Sequence, residues 1–274
     1  IEAMNWLKRP ASDTQITHGQ RLWLYVLAAI IMFLLVVPTL LVIPMSFSES
    51  QYLEFPPREW SLRWYENYFG SIAWMDATWT SLKVGVLTTL LATPLGTMAA
   101  YGLYVSHHKL SRLVFIFLIT PIMIPVILIA IGAFYVYVQI SMVNSLTGLV
   151  VAHSILALPL VLIVVSAAFK SYDMNQEMAA RNLGASRFTA FMAITLPQIR
   201  FSVVTAALLA FLTSFDEVIV ALFVSGGDNS TLTRNMFNAL RDQIDPTIAA
   251  ISTIMIAIST GLLVAAQLLG KPRN

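Results

Sequence analysis

One charged segment interrupts a chain that is otherwise largely hydrophobic. It reads Glu177-Met178-Ala179-Ala180-Arg181-Asn182-Leu183-Gly184 and, after nine more residues, Ile194-Thr195-Leu196-Pro197. The first part consists mostly of good helix formers, and its glycine can supply the left-handed or tight conformation that ends a helix. The segment therefore predicts two short helices that are broken at Gly184.

The second of these helices has a sequence that sets its ends and its apolar face. Ser186 can cap its start, and Pro197 is expected to close it. In the first helix, Ala179 and Ala180 present almost no side-chain bulk, so another surface can approach closely. These features favour a docking element for a soluble partner over an ordinary interfacial helix with its aromatics in lipid. The apolar face has intervals of three and four residues and consists of Phe188, Phe191, Met192 and Leu196.

The composition places most of the chain in lipid. Of its 274 residues, 58% are hydrophobic and only 11% are charged, whereas a soluble domain carries about a quarter charged residues. No polar stretch is long enough to form a soluble domain. Cysteine is absent, which excludes disulfides, thiolate metal sites and cysteine nucleophiles.

Six segments are apolar over about 20 residues, the length that a membrane span requires. The first is too long for a signal peptide and lacks a small-residue cleavage site, so we expect a retained helix. Prolines interrupt several segments, and a membrane helix tolerates proline when neighbouring helices satisfy the freed carbonyl groups. The pattern predicts a packed six-helix bundle over 22–269, with spans at 22–47, 79–104, 113–140, 147–169, 201–224 and 247–269.

The basic residues predict the orientation of the spans, because Lys and Arg concentrate in cytoplasmic segments. Outside we expect only Arg58, Arg63, Arg234 and Arg241, with Lys83 near the outer boundary of the second span. The N-terminal segment 1–21, the loop 170–200 and the tail 270–274 are therefore predicted to be cytoplasmic. The basic residues predicted inside are Lys8, Arg9, Arg21, Lys109, Arg112, Lys170, Arg181, Arg187, Arg200, Lys271 and Arg273.

The charged segment resembles the cytoplasmic loop of type I ABC importer permeases, whose pattern is Glu-Ala-Ala, three residues, Gly, nine residues and Ile-x-Leu-Pro. The chain departs from it at the glutamate, because the family position holds Met178 and Glu177 lies one place earlier. The resemblance implies an all-α membrane protein with six transmembrane helices and the type I ABC importer permease fold, in a bacterial inner membrane. It assigns to ATPase coupling Glu177, Ala179, Ala180, Arg181, Gly184, Ala185, Ile194, Leu196 and Pro197.

The resemblance also implies companion subunits. A permease of this type works with a second permease, two ATPase subunits and an external solute-binding protein. It is surrounded by membrane lipid, and we expect no nucleic-acid partner. The sequence has no Gly-x-x-x-x-Gly-Lys-Ser/Thr phosphate loop, so ATP must be bound by another polypeptide. We expect no catalytic residue, cofactor or metal on this chain, and ATP with magnesium on the ATPase subunits.

A second signal extends the resemblance over nearly the whole chain, to the second permease of spermidine/putrescine-type importers. It is carried by Ser214-Phe215-Asp216-Glu217-Val218 and by Phe223-Val224-Ser225-Gly226. Asp216 and Glu217 are the only acids within a predicted span, and an ionisable group there is a pathway candidate. We expect them, with Phe215 and Tyr135, to line the route of putrescine, spermidine or a zwitterion such as 4-aminobutyrate. The alternative for the two acids is a structural role, bonded to neighbouring helices or to the second permease.

Two other classes of function fit the sequence less well. An intramembrane protease needs an activated serine. The one histidine in a predicted span, His153, has Ser154 as its sequence neighbour, and adjacent residues on a helix do not face each other. We interpret His153 as a packing residue. A self-sufficient secondary carrier or channel commonly has inverted repeats and several intramembrane polar sites. No repeat is evident, and only Asp216 and Glu217 offer charge.

Overall fold

The computed structural model describes residues 17–106, 108–242 and 244–270, with side chains up to Val264. These residues form helices and loops, with an isolated bridge between Ser48 and Trp60 and no β-strand within the described ranges. The predicted all-α fold is confirmed. The α-helices are α1 (Leu22–Met45), α2 (Arg63–Gly70), α3 (Ile72–Val105), α4 (Ser111–Ile119), α5 (Val126–Gln139), α6 (Leu146–Phe169), α7 (Asn175–Asn182), α8 (Arg187–Ala190), α9 (Leu196–Phe215), α10 (Ile219–Val224), α11 (Leu232–Asp242) and α12 (Thr247–Gly270).

The helices long and apolar enough to cross a membrane agree with the predicted number of spans. In the described part of the chain there are five: α1, α3, α6, the helical stretch Arg187–Phe215, and α12. A sixth is obtained if α4 and α5 together form one bent span. Their positions correspond to the six predicted segments, although two of the predicted helices are broken.

The predicted span 113–140 is wrong as a single helix. α4 continues into a 3₁₀ turn at Thr120–Ile122, and the axis then changes by 95° before α5. Pro121 lies in that turn, and Pro125 directly precedes α5. Because proline lacks a backbone N–H and its ring clashes with the preceding turn, the helix is interrupted here. The apolar composition alone gave no sign of so large a bend.

The predicted span 201–224 is also wrong as a single helix. Helical structure begins much earlier, at Arg187, and α9 ends at Phe215. Three residues then leave the helix before α10 begins at Ile219. The break contains Asp216 and Glu217, the two acids of the predicted span.

The chain divides into two compact units. The first comprises the described residues up to Glu66 together with Asp245–Thr253. It contains α1, none of whose residues is buried. In the segment that follows α1, the hydroxyl groups of Ser46 and Tyr65 lie 2.7 Å apart and form a hydrogen bond that joins its two ends.

The second unit comprises Asn67–Ile244 and the described residues from Ile254 onward. At its centre α3, α6 and α9 pack on one another through small residues such as Ala92, Ala157 and Ala206. Gly96 shows how closely they approach, because a Cβ atom there would lie 2.6 Å from Cγ1 of Val161. Small residues allow such approach between membrane helices. This packing fixes the positions of the loops at the helix ends.

Candidate functional site

The charged segment forms two short helices that meet at Gly184. α7 ends with Gly184 at a φ of +97°, and the Ala185 N–H donates to the Ala180 carbonyl at 3.1 Å. Ser186 caps the start of α8, and its hydroxyl accepts from the Thr189 N–H at 3.1 Å. The predicted break and cap are confirmed. A Cβ at Gly184 would meet nothing within 4 Å, so glycine is required here for its backbone conformation and not for space.

The prediction that Pro197 closes the second helix is wrong. α8 passes into a π-helical turn at Phe191–Thr195, which runs directly into α9. Pro197 lies in the first turn of α9, directly after the π-helical turn, so the helix runs through the proline instead of ending at it. π-helical turns are rare and often occur at functional sites. The loop is therefore continuous with the long helix α9.

Glu177 is fully buried, with a relative exposure of 0%. Its Oε1 accepts a hydrogen bond from the Tyr101 hydroxyl at 2.5 Å, and its Oε2 accepts from the Thr195 hydroxyl at 2.6 Å. Tyr101 belongs to α3 and Thr195 to the π-helical turn. The carboxylate thus joins α7 to both elements. We call Glu177, Tyr101, Thr195 and Tyr172 the carboxylate lock.

Tyr172 completes the carboxylate lock. Its hydroxyl lies 2.7 Å from Thr195 Oγ1. Because a hydroxyl has one proton to donate and that of Thr195 goes to Glu177, Tyr172 must be the donor in this pair. Burial is the main cause that raises the pKa of the Tyr172 phenol, so the donor stays protonated at neutral pH. The lock is therefore a directed chain of hydrogen bonds that ends on a carboxylate.

Aromatic rings surround the carboxylate lock. The Tyr101 ring lies 4.7 Å from that of Phe191 in the π-helical turn. Tyr104 stacks on Phe169 with ring centroids 4.9 Å apart, and its hydroxyl donates to the Tyr172 carbonyl at 3.0 Å. Phe169 is 2% exposed. Excluding water strengthens hydrogen bonds to a charged group, so these rings strengthen the bonds that Glu177 accepts from Tyr101 and Thr195.

The surface of α7 and α8 that faces away from the carboxylate lock is exposed. Ala179, Arg181 and Gly184 are exposed, and Leu183 is 91% exposed. Of the other residues predicted for coupling, Ala180, Ala185, Ile194 and Leu196 are half-buried and Pro197 is exposed. The predicted set therefore has an exposed part and a buried anchor. A recess of about 740 Å³ on this surface is lined by Asn175, Met178, Ala179, Arg181, Asn182, Ala185, Ser186 and Arg187.

The residues predicted to line a solute route occupy three different environments. Glu217 Oε1 accepts from the Val220 N–H at 2.8 Å, so this side chain caps α10. Phe215 is 6% exposed and stacks on Phe211 with centroids 5.5 Å apart. The Glu217 side chain is thus half-buried and used as a cap, in keeping with the structural alternative, and the Phe215 ring is buried. Their place on a solute route stays a prediction. Asp216 is exposed, and Tyr135 is 67% exposed.

Several hydrogen bonds hold the break between α9 and α10 in place. His153 is buried, and its Nδ1 lies 2.9 Å from Ser214 Oγ at the end of α9. The Thr233 hydroxyl donates to the Glu217 carbonyl at 2.8 Å. The structure thus agrees with the interpretation of His153 as a packing residue. No three His, Cys, Asp or Glu side chains in the described ranges lie close enough together to hold a metal ion.

Sequence reasoning did not identify Tyr101, Thr195 and Tyr172 as functional residues. Tyr101 lies 76 positions from the carboxylate that it contacts. Hydroxyl residues on a hydrophobic helix give no periodic signal of a distant partner. The one available signal in the sequence was Glu177 itself, because this acid lies one residue before the position at which the family pattern has its glutamate.

Comparisons with known proteins agree with the resemblance of the charged segment. Residues 92–272 match the family described as binding-protein-dependent transport system inner membrane component. The spermidine/putrescine transport system permease protein PotC of Haemophilus influenzae is 29% identical over 241 residues, which cover 88% of this chain and 93% of the relative. The putrescine transport system permease protein PotI of Escherichia coli is 29% identical over 241 residues and 85% of each chain.

A solved structure shares the fold. It is a bacterial ABC transporter involved in the import of the acidic polysaccharide alginate. The TM-score is 0.68 at 12% sequence identity, and the match covers 94% of this chain and 99% of the other. A second structure of a bacterial alginate ABC transporter, in complex with a pentasaccharide-bound periplasmic protein, gives a TM-score of 0.70 at 18% identity.

Proposed function

The chain belongs to the binding-protein-dependent transport system inner membrane component family and is a permease of an ABC importer, and we propose that it forms half of the pathway for an amine-bearing solute. In this proposal the loop of α7 and α8 receives movement from a separate ATPase subunit. The solute is polyamine-like, such as putrescine or spermidine. A zwitterion such as 4-aminobutyrate is the alternative within the same class of importer.

The observation that carries the coupling role is the carboxylate lock. A push on α7 reaches α3 through the hydrogen bond between Glu177 and Tyr101 and reaches α9 through Thr195. Hydrogen bonds to a charged group contribute about 1.5–3 kcal/mol each, enough to keep the loop attached while it moves. Since α3 and α9 also pack on one another, the loop and the centre of the bundle move together.

The exposed surface of the loop is suited to a protein partner. Ala179 allows close approach, and Leu183 offers an apolar side chain that is 91% exposed. Arg181 and Arg187 line the recess of about 740 Å³ and place two cations where an acidic residue of the ATPase can bind. The sequence has no phosphate loop, so ATP and magnesium are assigned to that partner.

Transport then proceeds by alternating access in a multi-pass inner-membrane complex. A loaded extracytoplasmic solute-binding protein docks outside, and ATP binding closes the ATPase dimer. The loop carries that closure to the spans of this chain and of a second permease, which open outward and then release solute inward. Asp216 is the residue of this chain assigned to the solute, because its carboxylate is exposed at the break after α9 and can pair with an amine.

The experiment is to co-express this chain with the companion subunits, purify the complex and measure ATP hydrolysis and solute uptake in liposomes. Gly184→Trp should abolish uptake while ATP hydrolysis continues, because a non-glycine residue resists the φ of +97° at this position. Gly70→Trp is the matched control, since a Cβ there also meets nothing within 4 Å and the φ is ordinary. Normal uptake by Gly184→Trp would overturn the coupling role. Uptake by the purified chain alone, without ATP, would overturn the importer proposal.

A further inference from the structure

The break between α9 and α10 interrupts the helical hydrogen bonds within a predicted membrane span. The end of a helix leaves its last carbonyl groups without intrahelical partners, and in a membrane the protein itself must satisfy them. Asp216, the residue that the proposed function assigns to the solute, lies at this break. Its N–H donates to the Leu212 carbonyl at 3.0 Å, in the last turn of α9. The bonds made by its neighbours therefore decide where its carboxylate lies.

His153 supplies a partner on the α9 side of the break. Its Nδ1 lies 3.1 Å from the Ser214 carbonyl oxygen and 2.9 Å from the Ser214 hydroxyl oxygen. A carbonyl oxygen can only accept a hydrogen bond, so the ring proton is on Nδ1. The imidazole on α6 thereby satisfies a carbonyl at the end of α9, two residues before Asp216. His153 is 1% exposed and Ser214 is 4% exposed, so water does not compete for this bond.

Thr233 supplies a partner on the other side of the break. Its hydroxyl donates at 2.8 Å to the carbonyl of Glu217, the residue after Asp216. The residue before Thr233, Leu232, is buried, and its N–H donates to the Ser81 hydroxyl on α3 at 2.8 Å. Thr233 is thus fixed to α3 through the adjacent backbone, and the Glu217 carbonyl is fixed with it.

Asp216 therefore lies between two fixed points, one on α6 and one on α3. We propose that His153 and Thr233 are positioning residues for the solute. Both are buried and act through the backbone of the break, which they hold so that the Asp216 carboxylate stays where an amine can pair with it. A group that is held in its binding position gives higher affinity, because less ordering is needed when the ligand binds. The inference rests on the assignment of the solute to Asp216 in the proposed function.

A role in stability alone makes a different prediction for these two residues. Loss of a buried hydrogen bond lowers stability wherever the bond lies. A positioning residue instead changes the affinity for the solute, and does so only while residue 216 has its carboxylate. A double-mutant cycle with Asp216→Asn measures this dependence and so separates the two roles.

The test is ATP-driven uptake by the complete complex in liposomes, with putrescine, spermidine and 4-aminobutyrate as the solutes. His153→Gln and Thr233→Val should each raise the concentration for half-maximal uptake about tenfold, which corresponds to about 1.4 kcal/mol. His153→Asn has its amide N–H as many bonds from the backbone as Nδ1, whereas in His153→Gln it lies one bond further. His153→Asn and Thr233→Ser should therefore stay close to the wild type.

Two matched controls remove hydroxyl groups that bond within their own helix. Ser154 donates to the Val150 carbonyl on α6 at 2.7 Å, and Thr205 donates to the Phe201 carbonyl on α9 at 2.8 Å. Ser154→Ala and Thr205→Val should leave the half-maximal concentration unchanged. Size-exclusion chromatography before each assay ensures that equal amounts of assembled complex are compared.

In the Asp216→Asn background, His153→Gln and Thr233→Val should cause no further rise in the half-maximal concentration. A rise that persists there in full would show a role in stability alone and overturn the positioning role. So would a wild-type value in both single variants, or failure of both to assemble. If only one of them fails to assemble, the other decides. These results sink the positioning role only, provided that Asp216→Asn itself raises the half-maximal concentration. If Asp216→Asn has no effect, the assignment of the solute to Asp216 in the proposed function fails as well.

Discussion

Two glutamates, each at a junction between helices, are held in opposite ways. Glu177, in the charged loop, is completely buried, and its carboxylate accepts from residues 76 and 18 positions away in the chain. Glu217, at the break after α9, is half-buried and accepts from the N–H of Val220, three residues later. The sequence had placed Glu177 in the set of residues for ATPase coupling and Glu217 on the solute route, with a structural role as the alternative for Glu217.

The difference shows what each glutamate can transmit. A cap on its own helix orients a few residues and needs no tertiary contact. A carboxylate bound by hydroxyls from two other elements fixes those elements relative to one another. Glu177 is therefore an anchor that joins the loop to α3 and to the π-helical turn before α9, and its role in ATPase coupling stays a prediction that this indirect route would satisfy. In the proposed function, the surface that contacts the ATPase is the exposed one of Ala179, Arg181 and Leu183.

Glu177→Leu should have the largest effect of the changes that test this contrast. It leaves the buried hydroxyls of Tyr101 and Thr195 without their acceptor, at a cost of about 1–3 kcal/mol for each. We expect uptake to fall more than about tenfold while ATP hydrolysis by the assembled complex continues, a drop worth about 1.4 kcal/mol or more. Glu177→Gln should be intermediate, because the amide keeps one acceptor oxygen.

The matched control for this change is Gln176→Leu, at the neighbouring position, which is exposed and does not line the recess of the loop. It should leave uptake unchanged. Size-exclusion chromatography separates loss of assembly from loss of coupling. Wild-type uptake by an assembled Glu177→Leu complex would show that the carboxylate lock carries no movement.

Asp216→Asn should have the next largest effect, and only on the solute. Its exposed carboxylate is the one acid at the break that is not used as a cap. We expect about a tenfold rise in the solute concentration needed for half-maximal uptake, the equivalent of about 1.4 kcal/mol. The melting temperature should not change, because the amide has the same shape. Inhibition of uptake by a neutral competing solute should be the same in Asp216→Asn as in the wild type. Unchanged uptake of every amine tested would show that Asp216 does not line the route.

Glu217→Gln should have the smallest effect. The amide oxygen can still accept from the Val220 N–H, so uptake should stay within about twofold of the wild type. Glu217→Ala removes the cap and should cost about 1 kcal/mol of stability, seen as a lower melting temperature in a thermal-unfolding assay. If Glu217→Gln instead reduces uptake as strongly as Asp216→Asn, the comparison of the two glutamates fails and Glu217 contacts the solute.

Much of the fold followed from the sequence because hydropathy and helix length are local properties. The spans, the glycine break in the loop and the Ser186 cap were predicted in this way and are present in the structure. The two broken spans were missed for a physical reason. Apolar runs such as 113–140 and 201–224 have the same mean hydropathy whether the helix is straight or interrupted. The free-energy cost of an interruption is offset by contacts with neighbouring helices, and hydropathy takes no account of these.

The site was predictable only in part. Spacing around Gly184 identified the loop, since a helix end at a left-handed residue is encoded within a few positions. The same reasoning could not tell that Glu177 points inward or that Phe215 is buried against Phe211. It also gave Pro197 the wrong role, because a proline is compatible both with the first turn of a helix, where the structure has it, and with the end of a helix.

Composition and short-range pattern by themselves determined that this chain is a helical membrane protein with a charged loop of two short helices after the fourth apolar segment. They suffice because the transfer of side chains to lipid and the backbone freedom of glycine act residue by residue. Which carboxylate anchors the loop, which one caps a helix and which one is left exposed was decided only when α3, α6 and α9 packed together. Hydrogen bonds to a buried carboxylate require partners at fixed distances, and only the packed helices set those distances.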